Sequence, residues 1–266
     1  MISDLYDRKL KFSEIFKTSW GIFFRNVKYL FIFGFVLALI LKALDFLAFM
    51  PLGTVSNDKL IIFHLKRLIS GAFGFVGYLV AVFVAGRSIS GKEISWRLLA
   101  ADLQKFFWSG FAIHIITGLI STASWLPDCV FRLTGHKSGW GIFLELLFVL
   151  VGMVLCVYFT FTFQALVLRK QTWMSTFVYS FRMVRGRCLK IFGMTIGIVV
   201  ILMVPVVILS IFFKRFLHIT AINGWSVAYP FFMFFCMYVE LFFTVLFVNL
   251  DRQKSSSCRS VNPVKE

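Results

Sequence analysis

The 266 residues are 59% apolar and 18% aromatic, with only 15% charged, whereas about a quarter of a soluble domain is charged. The apolar residues fall in long blocks and do not recur periodically on one face of each element, which excludes a single soluble core. The formal net charge of +16 would point to nucleic acid in a soluble chain, but no folded soluble portion remains to act as a reader, so no nucleic-acid partner is expected and the charge reports membrane sidedness.

A closed β-barrel needs short segments alternating apolar and polar residues, and these blocks do not alternate. The expected fold is therefore all-α and polytopic, with about six transmembrane helices and amphipathic helices in the cytoplasmic interface. Residues 1–28 form an amphipathic cytoplasmic segment. Phe12, Ile15, Phe16, Phe23 and Val27 share one helical face with Ser19, flanked by Trp20 and Phe24. Lys11, Glu14, Lys17, Thr18, Gly21, Arg25 and Lys28 make most of the opposite face. That is the pattern of a helix lying in a membrane interface, and Lys17, Arg25 and Lys28 are candidate contacts for lipid headgroups. A cleavable signal has an apolar core of about 7–15 residues ending at small residues. The first block, Tyr29 to Met50, is longer and lacks such a site, so it is expected to stay as an anchor.

Lys42 and Asp45, three apart near the outer end of that first crossing, are expected to pair or to reach the interface. The second crossing, Leu68 to Gly86, carries Gly77, Ala81 and Ala85 at every fourth position, a small face suited to close helix packing. Ser95 and Trp96 precede the third crossing, Phe106 to Trp125, in which His114 lies near mid-depth. The fourth runs from Ile142 to Leu168, with Glu145 reaching the outer interface. Cys129, Cys156, Cys188, Cys236 and Cys258 fall singly, so neither a disulfide framework nor a metal site is expected.

Before the fifth crossing, Trp173, Phe177, Phe181, Val184 and Cys188 share a face, with Arg182, Arg185, Arg187 and Lys190 off it as further headgroup candidates. Laid over the N-terminal segment, this one matches Phe16 with Phe177, Ser19 with Ser180 and Trp20 with Phe181, and Ser95-Trp96 offers a weaker third copy. The pattern reads as three units, each an interfacial helix followed by two crossings. Phe163-Gln164-Ala165-Leu166-Val167-Leu168-Arg169-Lys170, followed by Ser175 to Phe177, Ser180-Phe181-Arg182-Met183-Val184-Arg185-Gly186-Arg187 and Lys190-Ile191-Phe192-Gly193, resembles the most recurrent stretch of the YciC-like bacterial inner-membrane proteins. It is also similar to the membrane domain fused to some glycerophosphodiester phosphodiesterases. The resemblance implies a six-helix inner-membrane protein and, for most members, no assigned molecular activity. This chain has no phosphodiesterase domain.

The fifth crossing, Ile191 to Phe213, holds Gly193, Gly197 and Pro205, where a kink is expected. The sixth, Trp225 to Leu250, holds Glu240 near mid-membrane. A charge there costs about 2.5–3.5 kcal/mol on insertion scales and by default suggests function. Glu240 and His114 are candidates for an intramembrane pair. Residues 29–250 thus form the transmembrane domain, and 251–266 a short basic cytoplasmic tail. Most of the 28 basic residues fall before the first crossing, between the second and third, between the fourth and fifth, and after the sixth. The rule that Lys and Arg stay inside then places both termini in the cytoplasm.

No phosphate-binding loop, zinc-protease or serine-hydrolase motif occurs, so neither catalysis nor a cofactor is expected. The expected partners are anionic membrane lipids, together with a membrane protein or a second copy of this chain. The functional reading is a membrane-organising or partner-supporting protein of the bacterial inner membrane, and the alternative is a small secondary transporter using Glu240 and His114.

Overall fold

A backbone inside hydrocarbon finds no water and must satisfy its N–H and C=O groups internally; among the described residues every regular element is an α-helix. The computed structural model describes residues 9–48, 58–123, 139–216 and 221–261. In chain order the helices are α1 (Phe12–Arg25), α2 (Val27–Ala48), α3 (Asp58–Ile89), α4 (Trp96–Ala123) and α5 (Gly139–Tyr158), followed by α6 (Thr162–Leu168), α7 (Trp173–Val184), α8 (Cys188–Phe216) and α9 (Ala221–Val261). Cys129 and the side chains of Lys42, Asp45, Glu145 and Cys258 lie outside the described residues.

Among the described residues, four segments are long and apolar enough to cross a bilayer: Trp96–Ile120, Ile142–Leu168, Cys188–Pro205 and Phe234–Lys254. Phe12–Arg25 with Val27–Ile40 makes a fifth if the pair is counted as one, although 79° separates its two halves. The expected second crossing falls on α3, where the described apolar part is Gly74–Ile89. The chain is thus an all-α polytopic protein.

Three elements differ from the expected outline. The fourth crossing is interrupted at residues 159–161, which separate α5 from α6. Trp96 opens α4 directly, so the weak third copy of the interfacial segment has no short helix of its own. Last, α9 continues past Leu250 to Val261, carrying the basic tail as helix. The helix α8 runs through Pro205.

Helix α9 is the centre of the bundle and packs on α1, α2, α3 and α8. Tyr238, Leu241, Phe242 and Val245 on α9 are fully buried. The small face of α3 works as spacing predicts. Ala81 and Ala85 are fully buried, and a Cβ at Gly77 would stand 3.0 Å from Leu37 Cδ2 on α2. Peripheral α5 is different, with Ile142, Phe143, Leu146, Phe148, Leu150 and Val151 all exposed, Leu146 at 64%. A helix apolar on every side and exposed on most of them has hydrocarbon as its matching solvent.

Candidate functional site: the polar end of the bundle

Amphipathic α1 sorts its residues round the helix into three strips. Ile15, Ser19, Ile22 and Phe23 are buried against the bundle. Trp20 and Phe24 are apolar yet exposed. Lys17 and Arg25 are exposed on the remaining side, with Lys28 exposed just after the bend. Glu14 accepts a hydrogen bond from the Lys11 N–H at 2.8 Å and so caps the first turn. Aromatic rings fasten α1 to α9: Phe23 meets Phe234 at 4.5 Å and Tyr238 at 5.2 Å, and Trp20 meets Tyr238 at 5.2 Å. At the bend into α2, Asn26 Nδ2 donates to Ile22 O and to Ser88 Oγ on α3, at 2.8 and 2.7 Å.

In α7 the buried strip is Thr176, Ser180, Met183 and Val184, rotated from the expected face. Trp173 and Phe181 remain more than 40% exposed. The polar strip faces inward because the interrupted span needs it. At the break, Ser180 Oγ accepts from the Phe161 N–H at 3.1 Å and donates to Tyr158 O at 2.7 Å, so it bonds one backbone group at each end of the interruption. Phe177 and Phe181 cover the same break, Phe177 meeting Phe159 edge-on and Phe181 stacking on Tyr158. Its counterpart by sequence, Ser19, bonds among the described residues only to Ile15 O of its own helix. Arg182, Arg185 and Lys190 are exposed and Arg187 is half-buried.

Several polar bonds between elements gather at this same end. Arg87 on α3 donates from Nε and Nη2 to Asp102 Oδ2 on α4, at 2.9 and 2.6 Å. The Tyr29 hydroxyl donates to Ile94 O at 2.7 Å, and the Leu10 N–H to Asn249 Oδ1 at 3.3 Å. Arg169 follows the last residue of α6 and donates through Nε at 2.8 Å, and through Nη2, to Asp251 Oδ2 on α9. The Tyr179 hydroxyl donates to Asp251 Oδ1. Burial, then the Asp251 carboxylate, push the Tyr179 phenol up to about 12. Burial opposes the Arg169 charge, but Asp251 more than offsets it and the guanidinium holds its proton more tightly than usual. Lys170 takes a left-handed conformation (φ 50°) where α6 ends, the position a glycine often fills. Sequence reasoning placed Arg169 on this side but missed its pairing with Asp251 and Tyr179; only the basic step after Leu168 signals it.

Deeper in the bundle, Glu240 and His114 make no hydrogen bond to each other. Gln164 Nε2, in the first turn of α6, donates to Glu240 Oε2 at 3.0 Å. Gln164 is fully buried, and among the described residues its Oε1 has no hydrogen-bond partner. His114 stands beside the Phe75 ring, with centroids 5.9 Å apart. Comparisons with protein-family models, curated proteins and solved structures find no match for this chain.

Proposed function

We propose that this chain is a non-catalytic protein of the bacterial inner membrane, crossing it six times with both termini in the cytoplasm. Its interfacial helices α1 and α7 bind anionic lipid and brace the bundle, in a membrane-organising or partner-supporting role. The observation that carries this reading is the three-way sorting of α1 into a buried strip, exposed aromatics and exposed cations. A helix in water has no use for exposed Trp20 and Phe24, while one at a lipid surface places them among acyl chains and its cations among phosphates. The positive-inside rule supports the sidedness. Each basic residue near an anionic surface contributes about 1 kcal/mol. Replacing Arg182, Arg185 and Arg187 by Gln is therefore expected to weaken binding of anionic lipid to the purified protein, read as lipid retained at low salt. Unchanged binding contradicts the lipid-surface reading.

A second reading, a small secondary transporter, draws on the Glu240–Gln164 bond beside the interrupted span, since broken helices at membrane depth are used for substrate and ion sites. Proton-coupled flux in vesicles that disappears in Glu240→Gln would favour it.

A further inference from the structure

Polytopic proteins meet phosphate where their helices leave the hydrocarbon, and at the polar end three helices of this chain surround one hollow. The end of α3, the end of α6 and part of α9 line an open cleft of about 710 Å³. Ile89, Leu168, Phe247 and Val248 give it an apolar wall, while Arg169, Asp251 and Arg252 line the same cleft. The acid is the least accessible of these charges, its side chain 8% exposed against 41% for that of Arg169.

Asp251 turns one oxygen to Arg169 and the other to the Tyr179 hydroxyl, so both of its oxygens face donors. Arg169 is thereby fixed through Nε and Nη2, and its side chain still reaches solvent. A guanidinium held by a buried carboxylate and still part-exposed suits an oxyanion, and its ordering cost is met before the ligand arrives. We propose that this cleft binds one anionic phospholipid, with its phosphate on Arg169 beside Arg252 and its upper acyl segment against Ile89, Leu168, Phe247 and Val248. The proposal rests on the reading that this end of the bundle lies at a headgroup surface. The apolar wall selects a lipid over soluble phosphate, which would leave that wall wet. Positioned contact in a cleft also resists salt better than the exposed cations of α1 and α7.

The test is native mass spectrometry of full-length protein purified in mild detergent, washed at high salt and given phosphatidylglycerol, phosphatidylcholine or inorganic phosphate. The wild type is expected to retain one phosphatidylglycerol per chain and to prefer it to phosphatidylcholine. Arg169→Gln combined with Asp251→Asn removes both charges without stranding a buried carboxylate. This pair of changes is expected to lower affinity about tenfold or more, the loss of one charge-assisted bond. Arg169→Lys, which keeps the charge and loses the fork, is expected to fall between, and it serves as the readout should the double variant fail to fold. Arg182→Gln with Arg185→Gln should weaken low-salt vesicle binding yet leave the salt-resistant lipid in place, which separates failure of the cleft from failure of the surface reading. Any of four results overturns the cleft: no lipid on the washed wild type, equal retention when Arg169 is changed, equal retention of phosphatidylcholine, or displacement of the lipid by inorganic phosphate alone.

Discussion

Ser180 has a hydroxyl that does two jobs, accepting from the Phe161 N–H and donating to Tyr158 O. Stranding buried donors and acceptors costs about 1–3 kcal/mol, so Ser180→Ala is expected to lower thermal stability in detergent by that order. Ser19→Ala should cost less, because Ser19 bonds among the described residues only within its own helix. Circular-dichroism melting of the two variants checks the contrast; equal losses would mean that the break does not depend on Ser180. Sequence matching aligned these two serines, and both are buried, but it could not separate their roles, which depend on a chain interruption without glycine or proline to announce it. Glu240 was legible from the cost of a charge at membrane depth. Its partner was not, since Gln164 lies 76 residues away on another helix and periodicity carries no information about contacts of that range.

Between helices in lipid, association has little hydrophobic drive and depends on close packing. The recurrence of Gly77, Ala81 and Ala85 gave the packing face of α3 directly. Gly193 and Gly197 show the same spacing with less behind it: a Cβ at Gly193 would meet nothing within 4 Å, whereas at Gly197 it would meet Phe12 at 3.6 Å. Gly77→Val is therefore expected to overpack the α2–α3 contact at a cost of about 1–3 kcal/mol. In contrast, Gly193→Ala should be neutral or stabilise by up to about 1 kcal/mol through the helix backbone. Melting temperatures that move the same way for both would contradict this assignment. The face of α7 was only half legible, because hydrophobic periodicity favours Trp173 and Phe181 while the fold buries Thr176 and Ser180 to serve the neighbouring break.

Among the described residues, most polar bonds between helices collect at one end, and α5 leaves a broad apolar surface exposed. Composition made the all-α, membrane-spanning class readable, since blocks of this length and apolarity have one favourable solvent. The Arg169–Asp251–Tyr179 cluster was not readable, because its members come from α9, α7 and the turn after α6. Exposed Leu146, Leu150, Ile208 and Ile211 belong in acyl chains, and that is the statement on which the lipid-binding proposals depend. Extraction of membranes with alkaline carbonate tests it most directly. The protein is expected to remain wholly with the bilayer pellet, and its recovery in the soluble wash would contradict the account.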